Sequence, residues 1–158
     1  MIVFVEGVDG SGKSTLIENL SNMFSSLRVS KQDDEHFTWN KVVLLGKSLG
    51  NNAVILVDRS PLTEYVYRTE NGKPCKYKYS QILKWLKEGK VIYCNNDNAY
   101  NNAMSRGEDN LTDKNRHDKV KHIYDTYIST LRLECVPTMY YNWQENCLDD
   151  VIKFIEEV

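Results

Sequence analysis

The sequence predicts an α/β fold in one domain, 1–158: a parallel five-stranded sheet with helices on both faces. Three observations predict it. Five short runs of β-branched and apolar residues alternate with stretches of helical periodicity, the order that builds βαβ units. Two of the runs, 53–57 and 91–94, are continuously apolar, as strands covered on both faces are. A glycine-rich turn joins the first run to the first helical stretch. Strands are expected at about 2–6, 28–31, 53–58, 90–94 and 137–142, and helices at about 13–26, 35–49, 61–69, 80–88, 97–105, 117–134 and 147–157. With 158 residues, 41% hydrophobic and 27% charged, the chain has the size and make-up of one globular domain.

The first element is the most informative. After the apolar run Ile2-Val3-Phe4-Val5 comes Gly7-Val8-Asp9-Gly10-Ser11-Gly12-Lys13-Ser14-Thr15, which fills every fixed position of the phosphate-binding pattern G-x-x-x-x-G-K-[ST]. Gly7, Gly10 and Gly12 let backbone N–H groups approach phosphate oxygens, Asp9 and Ser11 lie within the loop, and the next helix points its positive end at the same spot. Lys13 is expected to neutralise charge between the β- and γ-phosphates, the Ser14 hydroxyl to ligate Mg²⁺, and Thr15 to complete the loop. The predicted class is therefore a three-layer P-loop NTPase sandwich that binds ATP with Mg²⁺.

Composition excludes other classes. A net charge of −2 gives no global basic field of the kind that announces nucleic acid. No apolar run approaches the roughly 20 residues of a membrane span, and a strand expected at residue 2 leaves no room for a signal peptide. Cys75, Cys94, Cys135 and Cys147 form no C-x-x-C pair, so reduced thiols and a cytoplasmic location are expected. Abundant Asn, Lys and Tyr with scarce Pro suggest an AT-rich source, bacterial or phage.

Ligands of such sheets sit at the carboxyl ends of the strands. The strand over 53–58 ends in Asp58-Arg59-Ser60-Pro61. Asp58 is placed to organise Mg²⁺ or the reaction, or else to cap the helix that Pro61 opens; Arg59 can grip a phosphate with two hydrogen bonds. The polar stretch over 105–117 is a candidate lid, with Arg106 and Arg116 closing on the transferring phosphoryl group and excluding water. Asp34, Glu35, His36, Phe37 and Trp39 follow the second strand position and suit a nucleoside pocket, with Phe37 or Trp39 stacking on a base; a helix start that turns both rings into the core is the equal alternative. Arg68, Lys73, Lys76, Lys78, Lys84, Lys87 and Lys90 interleave with Tyr77, Tyr79 and Trp85, a pattern that could hold nucleic acid but reads better as a solvated surface over an inward Trp85.

Taken together, Phe4 to Thr15, Asp58-Arg59-Ser60 with Tyr65 downstream, Val91-Ile92-Tyr93, and Arg106-Gly107-Glu108 resemble the thymidylate kinases and the related deoxynucleoside kinases along nearly the whole chain. The resemblance implies that Lys13, Ser14 and Thr15 hold ATP and Mg²⁺. Asp9 and Tyr65 would lie near the acceptor nucleotide, Arg59 on its phosphate, and Arg106 on the transferring group; Asp58 would organise Mg²⁺ or the acceptor. The implied reaction carries dTMP to dTDP. Where that family has Arg-Glu-Pro-Gly, this sequence has Asp34-Glu35-His36-Phe37, which admits a deoxynucleoside kinase in which Asp34 or Glu35 is base for a 5′-hydroxyl. A hydroxyl on DNA, such as that of a hydroxymethylated pyrimidine, is a third acceptor, and a homodimer is left open.

The rival class is a nucleotide-dependent switch or motor. The guanine-reading Asn-Lys-x-Asp motif is absent, and Asp58 is followed by Arg-Ser-Pro, where a switch would carry glycine.

Overall fold

A computed structural model of the chain describes residues 1–30, 38–50, 53–107 and 113–157. The strands are β1 (Ile2–Glu6), β2 (Ser26–Ser30), β3 (Val54–Asp58), β4 (Lys90–Cys94) and β5 (Thr138–Tyr141). They form one parallel sheet in the order β2-β3-β1-β4-β5. The helices are α1 (Lys13–Met23), α2 (Trp39–Leu49), α3 (Pro61–Glu70), α4 (Tyr79–Leu86), α5 (Ala99–Ser105), α6 (Lys114–Leu133) and α7 (Leu148–Glu156). This is the α/β architecture that the sequence predicts.

β1 is buried along its whole length, and its alternation sorts the core into two layers. Ile2 and Phe4 face one side, with Trp39 and Val42 of α2, Leu62 and Val66 of α3, Ile82 and Leu86 of α4, and Val120, Tyr124 and Ile128 of α6. Val3 and Val5 face the other, with Leu16, Ile17 and Leu20 of α1 and Val151 and Ile155 of α7. Each such side chain, fully buried, contributes about 1.5–3 kcal/mol. A strand apolar on both faces can only be a central one, which is where β1 lies.

Element ends differ from expectation where local capping decides. β2 begins two residues earlier than expected, because Ser26 pairs with Val54 at the start of β3. α2 begins at Trp39, with Thr38 as its cap. α6 begins at Lys114 because the Asp113 side chain accepts the Asn115 N–H at 2.9 Å. Residues 114–117, expected in a lid over 105–117, therefore belong to a helix, while 108–112 lie outside the described residues. Among the described residues no helix is long and apolar enough to cross a membrane.

The crossover from β1 to β2 passes over β3, and the chain later returns to the other side of β1 as β4. β1 thus sits where the strand order reverses, and its carboxyl end is the natural crevice of the fold. The register sets Val5 beside Asp58 and Glu6 beside Tyr93, so the glycine turn after β1 and the end of β3 are neighbours.

Candidate active site

The glycine turn is held by backbone contact. Gly7 and Gly10 have φ of 142° and 78°, values that residues with a Cβ seldom adopt. A Cβ on Gly10 would stand 2.0 Å from the Ala99 carbonyl oxygen, and one on Gly7 would stand 2.6 Å from that of Cys94. The loop therefore lies against the end of β4 and the start of α5 as closely as bare backbone allows. Asn102 Nδ2 donates to the Gly10 carbonyl at 3.3 Å, and His117 Nε2 lies 3.3 Å from the Asp9 carbonyl.

Lys13 is buried and donates to the Val8 carbonyl at 2.8 Å, folded across its own loop. Burial, reinforced by the Arg59 charge, lowers its pKa to about 8, although Asp9, Cys94 and Glu6 pull the other way. Asp9 Oδ2 and Ser11 Oγ are buried without a hydrogen-bond partner among the described residues. Buried polar atoms seldom remain so, and for Asp9, which borders a cavity, a ligand there would supply the partner.

The second wall is the turn after β3. Asp58 Oδ2 accepts from Arg28 at 2.7 Å. Arg59 has φ 69°, a left-handed conformation unusual for a residue with a side chain. Its guanidinium reaches Asp9 Oδ1 at 2.6 Å and lies 5.9 Å from the centre of the Tyr67 ring. Burial works against the Arg59 charge, but Tyr124, Tyr67, Asp9 and Glu6 outweigh it and raise its pKa, so this is a fixed cation.

Three cavities meet along these walls. The phosphate cavity, about 190 Å³, is lined by Asp9, Gly10, Gly12, Lys13, Ser14, Asp58, Arg59 and Arg106. A second cavity, of about 300 Å³, on the side where the sequence leads one to expect an acceptor and called the acceptor cavity for that expectation alone, shares Asp58 and Arg59 with it and adds Trp39, Ser60, Thr63, Glu64 and Tyr67. A third, of about 400 Å³, shares Gly10, Gly12 and Arg106 with the first and adds Thr15, Asn19, Tyr141 and Trp143.

The predicted residues sort accordingly. Asp9, Gly10, Gly12, Lys13, Ser14, Asp58, Arg59 and Arg106 come together around the phosphate cavity. Gly7 and Ser11 shape the loop behind it, and Thr15 faces the third cavity. Trp39 is 4% exposed and turned into the core, with its ring 6.5 Å from that of Trp85, and it also lines the acceptor cavity. Asp34, Glu35, His36 and Phe37 lie outside the described residues.

Two expectations need correction. Arg116 does not line the phosphate cavity; it grips Glu70 at 3.2 Å, an ion pair made possible by the earlier start of α6. Tyr65 does not line the acceptor cavity either; its ring packs 5.0 Å from Tyr127 and 5.5 Å from Tyr79. Tyr67 lines the cavity instead, because residues two apart on a helix point to different faces while 60, 63, 64 and 67 share one. In the lysine-rich stretch Trp85 is buried, donates to Asn40 Oδ1 at 2.8 Å, and meets Tyr77 edge-on at 4.9 Å. Trp85 is thus turned into the core, with Tyr77 packed against it.

No protein-family model matches the sequence, and no curated relative does. Among solved structures the chain is similar to YorR from Bacillus subtilis, in complex with phosphorylated GDP, at TM-score 0.67 and 18% identity over 97% of this chain and 92% of that one. It is similar to deoxyadenosine kinase from M. mycoides with bound dCTP, at TM-score 0.64 and 14% identity over the whole of both chains. It is also similar to thymidylate kinase from Ehrlichia chaffeensis, at TM-score 0.57 and 13% identity over 99% and 98%. The chain thus has the fold of nucleoside and nucleotide kinases from end to end.

Proposed function

We propose that this chain transfers the γ-phosphoryl group of ATP to a (deoxy)nucleoside monophosphate, with dTMP the first acceptor to test. The observation that carries the reading is the position of Arg59, which lines both the phosphate cavity and the acceptor cavity and so stands where a phosphoryl group would pass from one to the other. The ATP phosphates would lie in the glycine turn, with Lys13 released from the Val8 carbonyl onto them. The donor base would occupy the third cavity beside Trp143, and the acceptor base would lie between Trp39 and Tyr67. The Ser14 hydroxyl and Asp58 carboxylate border one cavity and are hard oxygen donors, a set that suits Mg²⁺ entering with the triphosphate; bound there it would neutralise phosphate charge. The chain's own work is positioning and charge: Lys13 on the donor, Arg106 on the transferring group, Arg59 on the acceptor phosphate where the two cavities meet, and closed walls against water.

A second reading has its own support. Asp58 and Glu64 put two carboxylates in the acceptor cavity, where Arg28 is already taken up by Asp58 and the Arg59 guanidinium already faces Asp9. That balance suits an uncharged nucleoside hydroxyl better than a dianion. A radiolabelled ATP assay over deoxynucleoside monophosphates, free deoxynucleosides and DNA separates them. Label on dTMP or another monophosphate supports the first reading and label on nucleosides alone the second. Label on DNA alone overturns both. Lys13→Ala should lower transfer by about a thousandfold; a wild-type rate would end the phosphate-loop assignment.

A further inference from the structure

Glu6 ends β1, is fully buried, and lines none of the three cavities. A carboxylate this deep costs several kcal/mol unless donors surround it. Four donors do. The Ser60 N–H at 2.7 Å and the Ser60 hydroxyl meet Oε1; the Thr63 hydroxyl at 2.7 Å and the Tyr124 hydroxyl at 3.1 Å meet Oε2. Tyr124 is itself buried, which raises its pKa and keeps its proton in place. One side chain of β1 thus binds the first turn of α3 to the middle of α6.

The conformation it holds is the unusual one. Left-handed backbone at a residue with a side chain is strained and persists only where its surroundings fix it. Two hydrogen bonds bracket Arg59: its own N–H donates to the Val5 carbonyl at 3.0 Å, and the next N–H, of Ser60, donates to Glu6. The first is a ladder bond between main chains. The second depends on the Glu6 side chain, and it fixes the peptide plane that follows Arg59.

We propose, on the kinase reading above, that Glu6 is a positioning residue for phosphoryl transfer. It locks the Asp58-Arg59-Ser60 turn in its left-handed form and so aims Arg59 at the junction of the phosphate and acceptor cavities. Glu6 lines no cavity and acts on the reaction chiefly through Arg59, its bonds to Thr63 and Tyr124 holding the helices that flank the turn.

The test is a double-mutant cycle on the full chain: wild type, Glu6→Ala, Glu6→Gln, Arg59→Ala and Glu6→Ala/Arg59→Ala. Folding is followed by circular dichroism, ATP binding by calorimetry, and acceptor kcat/KM by label transfer. Glu6→Ala should lower acceptor kcat/KM about 100-fold, the scale on which misplacing a group by about 1 Å acts, while the ATP Kd moves less than about threefold. Glu6→Gln keeps an oxygen for Ser60 and should recover to within about tenfold of wild type. The double variant should be no more than about twofold slower than Arg59→Ala, because residues that act as one unit are not additive. Losses that multiply in the double variant, or ATP binding that falls in parallel with turnover, overturn the proposal and leave the kinase reading standing. Should Glu6→Ala not fold, the same cycle built on Glu6→Gln decides between these outcomes. No transfer by the wild type to any acceptor overturns the function and the proposal together.

Discussion

The two walls of the phosphate cavity are held in opposite ways. The glycine turn rests chiefly on close backbone packing: Gly7 and Gly10 sit against main-chain atoms with no room for a Cβ, and the His117 and Asn102 side chains add contacts to its carbonyls at residues 9 and 10. The turn after β3 rests on side chains: Glu6 on Ser60, Arg59 on Asp9, Arg28 on Asp58. The first wall should be least tolerant of added bulk and less sensitive to the loss of any one polar contact. The second should tolerate small changes in bulk and fail when a charge or hydrogen bond is lost.

The largest effect should come from adding one methyl group to the backbone-held wall. Gly10→Ala places a Cβ 2.0 Å from a carbonyl oxygen at φ 78°, and the clash is with backbone that cannot rotate away. ATP binding should weaken by at least about 100-fold in calorimetry. Affinity within threefold of wild type would show that the loop is more yielding than this comparison holds. Next comes Arg59→Ala on the side-chain-held wall. Acceptor use should fall about 100-fold and ATP affinity by no more than about threefold, since a charge-assisted contact to the acceptor would be lost while the close packing of Gly7 and Gly10, though not the Asp9–Arg59 pair, stays in place. Equal damage to both would mean that the walls do not work independently.

A smaller effect reads the buried Lys13. Its pKa of about 8 in the free protein lies below the ordinary 10.5, and phosphate binding must raise it. The contribution of Lys13 to ATP binding is then fully present below pH 8 and is lost as pH climbs from about 8 toward the bound-state value. Folding stability has the opposite sign. The unfolded chain binds this proton more tightly, so the free protein gains stability from this group between about pH 8 and 10.5. Parallel ATP titrations and thermal melts at pH 7, 8 and 9.5 check both slopes, and two slopes of the same sign would remove Lys13 as their cause. The smallest effect belongs to Tyr65→Phe, whose ring packs among Tyr79 and Tyr127. The acceptor KM should stay within about twofold in the same transfer assay; a tenfold rise would return Tyr65 to the site.

The contrast between the walls also explains what the sequence made legible. The backbone-held wall writes itself into sequence, because only glycine fits at 7, 10 and 12, and the strand and helix beside it carry their own periodicity. The sheet followed from the same kind of signal, apolar runs whose length and continuity admit a buried strand. A wall held by side chains leaves a weaker trace, because its partners lie far apart in the chain: Glu6 meets residues 60, 63 and 124. The one local trace of Glu6 is an acid closing an otherwise apolar strand. Tyr67 could have been found from the helical period counted from Ser60, whereas Tyr65 two positions earlier lies off that face. Arg116 could not, since its pairing with Glu70 depends on how α6 docks against the end of α3.

The three tryptophans divide the molecule into two optical compartments. Trp39 and Trp85 are 4% and 6% exposed, whereas Trp143 is 54% exposed at the rim of the cavity beside Gly12. An aqueous collisional quencher such as iodide reaches Trp143 and leaves the buried pair dark to it. Quenchable emission therefore reports on one edge of the phosphate loop, and the unquenchable remainder on the core and, through Trp39, on the second cavity, so the unlabelled protein can follow the loop edge apart from the interior in one cuvette.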